Sequence, residues 1–440
     1  MRFHDAVSTS SSLASRYRDV RQATSALAAP LGPEDCTVQS MPDVSPTKWH
    51  LAHTTWFFET FVLGRAKPAR ATYDARYGLL FNSYYEALGE RTPRGQRGLL
   101  SRPTLQEIVA YREAIDEEMD AMLARGVDAD VAAVLELGLN HEQQHQELIL
   151  TDIQHVLAQN PLRPRYTPPP PASTRDTARR DRPPLTWHDE PEGLRSIGHE
   201  AGTGPGTGND LFAFDNETPR HRLFVPAFSI ASRLVTCGEY LDFIEDGGYS
   251  RPEFWLSDGW AVRTKEGWEG PLYWEKQEDG THLTFSLHGT LAIDRGAPVA
   301  HVSMYEAYAY AAWAGARLPT EAEWEITSER CTIASGHFVG SGLLVPRPLA
   351  HRASSEKGPH QMFGDVWEWT GSAYAPYPGF RPLAGALGEY NGKFMCNQMV
   401  LRGGSCFSPA SHLRRTYRNF FPPGARWQMT GIRLAKDLQT

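Results

Sequence analysis

At 440 residues the chain has room for two domains, or three at most, and its 41% hydrophobic and 11% aromatic content argues against a chain dominated by disorder. A formal net charge of −8 argues against a surface built for nucleic acid, and five scattered cysteines without a C-x-x-C point to neither a disulfide framework nor a thiolate zinc site. The N-terminal M-R-F-H-D-A-V-S-T-S-S-S lacks the apolar core of a signal peptide, and no run of about 18 apolar residues occurs, so a soluble, cytoplasmic protein with no membrane partner is expected.

Residues 1–160 read as helical. Apolar residues recur at helical spacing from Ser12 to Ala28, in a segment from Ser45, in one from Thr104 and in one ending near Gln159. Ser45-Pro46 reads as an N-cap followed by proline at the first helical position. The third segment carries Leu105, Ile108, Tyr111, Ile115, Met119 and Met122 on one stripe. Four such helices predict an up-and-down bundle. Between the second and third lies a long loop containing F-N-S-Y-Y-E-A-L-G-E-R-T-P-R-G-Q-R-G-L-L; its length points to function and its aromatics to order.

Residues 161–187, rich in proline and arginine, predict an extended connector with solvated charges. From 188 to 440 short β-like runs (R-H-R-L-F-V, F-S-I-A) alternate with turn clusters. Two helical segments stand out, C-G-E-Y-L-D-F-I and S-M-Y-E-A-Y-A-Y-A-A-W-A, so this half predicts an α+β domain with much irregular structure. Trp367 and Trp369 are expected in its core.

The stretch N-H-E-Q-Q-H-Q-E-L-I-L, residues 140–150, contains H-E-x-x-H. His141 and His145 project from one helix face, roughly 6 Å apart at Cβ, which suits neighbouring positions on a metal. A zinc protease would also need Glu142 as general base and a third ligand close by. Glu147 points to another side of the helix and the metzincin glycine and third histidine are absent, so protease chemistry is not expected. A third ligand is offered upstream by His50 and His53 in S-P-T-K-W-H-L-A-H-T-T-W-F-F-E. Three neutral imidazoles from two helices leave one face of a metal open, a set suited to non-haem iron(II) binding substrate and O2 together.

These two stretches resemble the DinB-like domain of the iron-dependent sulfoxide synthases of ergothioneine biosynthesis. The second half resembles the formylglycine-generating-enzyme domain, lectin-like in fold, that is fused to it in that family. It does so through F-D-N-E-T-P-R-H-R, V-T-C-G-E-Y-L-D-F-I-E-D-G-G-Y, A-R-L-P-T-E-A-E-W-E, G-D-V-W-E-W-T and L-R-G-G-S. The resemblance implies a multidomain fold, a four-helix bundle followed by an α+β domain. It also implies an enzyme that joins a thiol to the imidazole C2 of hercynine (N-α-trimethylhistidine), consuming O2 and giving a sulfoxide. By the same resemblance Fe(II) is held by His53, His141 and His145, with His50 beside them, while Gln144, Asn419 and Phe420 meet hercynine.

Two departures bear on the sulfur donor. Members that use γ-glutamylcysteine carry an acidic residue two places after this asparagine, where Phe421 stands here. They also carry a tyrosine soon after a P-G-F segment, whereas P-G-F at 378–380 is followed by none until Tyr390. Tyrosines stand instead at Tyr84 and Tyr85, which resembles the second type of these enzymes, the type that takes free cysteine. That type implies Asp43 for the cysteine ammonium and Arg94 or Arg97 for its carboxylate, with Phe421 on the cysteine side. The aromatics around Asn419, Phe420 and Phe421 among them, suit walls that exclude water. The same type implies Tyr84 or Tyr85 as the proton donor to reduced oxygen, a task a neutral phenol suits. Rival readings are a selenoneine synthase using hercynine and a selenosugar, the γ-glutamylcysteine version of the enzyme, and a lectin-like binding module that needs no iron.

Overall fold

The computed structural model describes residues 12–169, 183–200, 212–349 and 358–438, which form two compact units dividing after Ile153. The first eleven residues and residues 170–182 of the proline-rich connector lie outside the described residues.

The first unit holds α1 (Leu13–Ala28), α2 (Thr47–Phe57), the short α3 (Tyr77–Phe81), α4 (Leu105–Leu123) and α5 (Ala129–Gln159). Local chemistry starts two of them. Ser12 Oγ accepts the Ser15 N–H at α1, and Thr104 and Glu107 cap α4 reciprocally. At α2 the structure corrects the expected start: Pro46, not Ser45, is the cap, and no side chain bonds there. Ser45 is engaged elsewhere, its N–H donating to Asp152 Oδ2 at 2.8 Å and its Oγ accepting from Arg97 at 3.0 Å. Tertiary partners have displaced a local cap. The long loop before α4 is ordered, with α3 and 3-10 turns at Glu86–Leu88 and Arg94–Leu99.

All eleven residues of α2 are buried, which makes it the central helix of its unit. It runs on into a π-helical turn, Phe58–Leu63. α5 approaches it closely at Gly138, where a Cβ would stand 2.7 Å from Phe58 and 2.9 Å from Phe57. A single carboxylate then ties the bundle. Glu142 on α5 accepts from Arg21 of α1 at 3.0 Å and from Arg112 of α4 at 2.5 Å, and Arg21 also reaches Thr55 of α2 at 3.0 Å. Burial works to raise the Glu142 carboxyl, but Arg112 and Arg21 outweigh it and hold it at about 2.

The second unit is α+β, with small sheets of three, four, two and three strands among the described residues. In the four-stranded sheet, Asn419–Phe421, Met399–Arg402 and Trp367–Ala373 run antiparallel in that order, and Thr430–Gly431 adds parallel. Trp367 and Trp369 are buried, as expected. The quoted stretches lock one another: Glu368 accepts from Trp324 Nε1 at 2.9 Å and Arg433 Nε at 2.7 Å, and Arg402 pairs with Glu325. In L-R-G-G-S, Gly403 has φ +98°, and a Cβ there would meet the Met362 carbonyl at 2.7 Å.

Helices in this unit number four among the described residues rather than the expected two: α6 (Cys237–Glu245), α7 (Ser257–Glu266), α8 (Met304–Trp313) and α9 (Glu321–Ser328). S-D-G-W-A-V-R-T-K-E has too few apolar residues to show a stripe, and α9 is too short for one. A capping box nevertheless marks α9: Thr320 with Glu323 repeats the pattern of Thr236 with Glu239 and Ser303 with Glu306. No helix among the described residues is long and apolar enough to cross a membrane.

Replacing Glu142 with alanine leaves two guanidinium groups buried without their shared carboxylate. Urea unfolding should record a loss of about 3–5 kcal/mol; an unchanged midpoint would show that this ion cluster does not tie the bundle.

Candidate metal centre

His53 on α2 and His141 and His145 on α5 are buried, with ligand atoms within 4.8 Å of one another. His53 Nε2 lies 3.3 Å from His141 Nε2, and His145 Nε2 lies 3.2 Å from it. Two nitrogens each about 2.1 Å from one ion stand roughly 3.0–3.4 Å apart for angles near 90–109°. The observed spacings fit a common ion.

Hydrogen bonds decide which nitrogens carry lone pairs. His53 Nδ1 lies 2.6 Å from the Phe81 carbonyl at the end of α3. A carbonyl only accepts, so the proton sits on Nδ1 and Nε2 is left to ligate. His145 Nδ1 faces His50 Nδ1 at 2.8 Å, and His50 Nε2 faces Asp152 Oδ2 at 3.0 Å. Burial takes His141 down to about 4 despite the carboxylate of Glu142. Burial first, and the neighbouring His141 second, push His53 and His145 well below the ordinary histidine range. The rings are therefore neutral near pH 7, the form that binds metal. Trp49 and Trp56, one turn to either side, sandwich His53 at ring-centroid distances of 4.6 and 5.9 Å.

Beside the histidines lies an arginine with no direct ion pair among the described residues, although the Asp152 carboxylate acts on it electrostatically. Arg97 is 2% exposed and its guanidinium carbon stands 3.4 Å from the Trp49 ring centroid. Its Nη1 and Nη2 donate to Ser45 Oγ at 3.0 Å and Ser83 Oγ at 3.1 Å, and its Nε has no partner among the described residues. Burial, only partly offset by Tyr84, brings it down to about 9. Two hydroxyls and the Trp49 face are thus its direct contacts, and a buried cation without an ion pair carries a desolvation cost.

The other expected residues fall out differently. Arg94 is half-buried and donates to the backbone carbonyl of Asp43, whose side chain is exposed. Tyr85 is buried against Trp56 and Phe61 at 5.9 and 4.9 Å, with its backbone held on both sides by Asn82. Tyr84 is half-buried and acts electrostatically on Arg97. Gln144 is half-buried on α5. In the second unit Asn419, Phe420 and Phe421 form one half-buried strand. Asn419 Oδ1 accepts the Phe420 N–H at 2.9 Å, and the Phe420 ring stacks on Tyr374 at 4.1 Å. Both Glu142 oxygens are occupied by arginine, so H-E-x-x-H has no general base here.

Asp152 was not legible as part of the site, although it stands seven residues past His145, on the same helical face. The hydroxyls of Ser45 and Ser83 carried no signal in the sequence, because only the fold brings them to Arg97.

The DinB superfamily matches residues 16–155, and the sulfatase-modifying factor enzyme 1-like domain matches residues 191–438. The hercynine oxygenases of Mycolicibacterium thermoresistibile and Mycobacterium tuberculosis are each 34% identical to this chain. Each alignment spans 90% of the chain, with 88% and 92% of the respective relatives. The chain belongs to the hercynine oxygenase family. It is therefore an oxygenase enzyme of the sulfoxide-synthase type found in ergothioneine biosynthesis. Ergothioneine biosynthesis protein 1 of Schizosaccharomyces pombe is also similar, 31% identical over 238 residues that make up 51% of this chain and 28% of that protein. The three histidines fall inside the DinB match and Asn419 inside the other.

The two tyrosines should separate in stability measurements. Tyr85→Ala empties a packed aromatic site and should cost about 3 kcal/mol in urea unfolding, whereas Tyr84→Phe should stay within about 0.5 kcal/mol of the parent. Equal losses would contradict the packing described for them.

Proposed function

We propose that this chain is a non-haem iron(II)- and O2-dependent sulfoxide synthase that joins the imidazole C2 of hercynine to the sulfur of free cysteine. The thiol S–H and the imidazole C2–H are lost, one oxygen atom goes to sulfur and the other leaves as water. The product is hercynylcysteine sulfoxide. The resemblance to hercynine oxygenases supports hercynine as substrate. The observation that favours a carboxylate-bearing donor is Arg97, a buried guanidinium with no ion pair among the described residues. Cysteine and γ-glutamylcysteine both carry that carboxylate, and Phe421, standing where the γ-glutamylcysteine enzymes carry an acid, supports free cysteine of the two. A selenosugar has no carboxylate and would leave Arg97 uncompensated.

His53, His141 and His145 would hold the metal. Bound iron(II), with three neutral ligands, would supply Lewis acidity toward a thiol and one-electron chemistry toward O2. Asp43 is assigned to the cysteine ammonium, with Arg94 bonded to its backbone. Gln144, Asn419 and Phe420 are assigned to hercynine, and Phe420 and Phe421 to excluding water. Of the two tyrosines Tyr84 is the preferred proton donor, because the Tyr85 ring is committed to packing against Trp56 and Phe61.

Anaerobic protein loaded with Fe(II) should take up O2 with hercynine plus cysteine, and mass spectrometry should find the sulfoxide. Arg97→Met should raise the KM for cysteine at least about tenfold while leaving the metal bound, and Tyr84→Phe should divert cysteine to its sulfinic acid. Product formed only with γ-glutamylcysteine, or only with a selenosugar, would overturn the donor assignment. No iron and no product with any donor would favour the binding module.

A further inference from the structure

His50 and Asp152 are both buried, and neither belongs to the three-histidine set. Asp152 Oδ2 faces two groups, the Ser45 N–H at 2.8 Å and His50 Nε2 at 3.0 Å. The first can only donate, so the oxygen is an acceptor. His50 Nδ1 then faces His145 Nδ1 at 2.8 Å. Only one proton order leaves His145 Nε2 free to ligate. His145 carries its proton on Nδ1 and donates it to His50, which in turn donates from Nε2 to the carboxylate. His53 is backed differently, by the neutral carbonyl of Phe81.

From this geometry we infer that Asp152 and His50 are positioning residues, a carboxylate–imidazole relay that orients His145 and makes it the most electron-rich of the three ligands. The inference rests on the metal reading above. A carboxylate acting through an imidazole does for His145 what a directly bonded carboxylate does for many metal-bound histidines: it fixes the tautomer, holds the ring and raises its basicity. Interposing His50 keeps the negative charge one ring away from the open face of the centre, where anionic donors must enter. Ser45 adds a further consequence. Its N–H holds Asp152 and its Oγ holds Arg97, so one residue sets the relay and the proposed carboxylate clamp in register.

Cobalt(II) is a suitable probe, because its visible absorption reports ligand field and geometry without turnover. Purified full-length protein, His145→Ala, His50→Leu, His50→Gln and Asp152→Asn would be stripped of metal and titrated with Co(II). Thermal melting of the metal-free forms would check folding. His50→Leu should weaken Co(II) binding about 10- to 100-fold and shift its visible bands. His50→Gln, which keeps an acceptor toward His145 and a donor toward Asp152, should restore most of the affinity. Asp152→Asn keeps an acceptor but loses the charge, and should shift the bands with a smaller loss of affinity. It carries the test if His50→Leu does not fold. Parent-like affinity and spectrum in His50→Leu, or in Asp152→Asn, would overturn the relay. So would a glutamine variant as weak as the leucine one, which would leave packing as the role of His50. If His145→Ala does not alter Co(II) binding, the metal reading fails and the relay falls with it. If it does while His50→Leu does not, only the relay fails.

Discussion

Three imidazole edges face one another inside the bundle, and burial forbids them to carry charge. From that constraint follows where two of the three protons go. His53 sends its proton outward to a carbonyl freed at the end of α3, and His145 sends its own toward His50 and Asp152. The lone pairs are then left pointing inward, at spacings a single ion can span. The tryptophans on either side of His53 restrict its ring. A neutral set of this kind leaves the whole charge of a bound dication available to substrates.

Buried arginines divide into two kinds by what they meet. Arg21 and Arg112 share Glu142, Arg402 has Glu325, and Arg433 has Glu368. Each of these cations is matched, and each pair joins elements far apart in the chain. Removing one partner from such a pair costs several kcal/mol, because it strands the other charge in the interior. Arg97 is equally buried but among the described residues has no ion pair, its hydrogen bonds going to two hydroxyls and its guanidinium lying on a tryptophan face.

The same distinction sorts the motifs. G-D-V-W-E-W, A-R-L-P-T-E-A-E-W-E and L-R-G-G-S read as signatures of a family, yet several of their polar residues bond one another, through Glu368 with Trp324 and Arg402 with Glu325, and Glu368 also takes Arg433 from outside them. They identify the second unit because that fold needs them. H-E-Q-Q-H divides within five residues: its histidines turn to the centre while its glutamate turns to the arginines that bind the bundle. A glutamate committed to two ion pairs cannot serve as a base, and the zinc-protease pattern is emptied of its chemistry.

What the sequence by itself determined was periodic and local: the helices of the first unit, the shared face of His141 and His145, and the stretches that identify both halves. The helix repeat is a property of neighbouring residues and can be read without knowing the fold. The tertiary structure decided the rest. It drew Ser45 away from capping α2, gave Asp152 a role through His50, committed Tyr85 to packing while leaving Tyr84 beside Arg97, and left Arg97 without a carboxylate. Each of these depends on residues tens of positions apart, such as His53 and His141, being brought within a few ångströms. Such meetings are set by how helices pack, through features as small as the missing side chain of Gly138. No local pattern encodes them, because the competing partners are chosen only once the interior has closed.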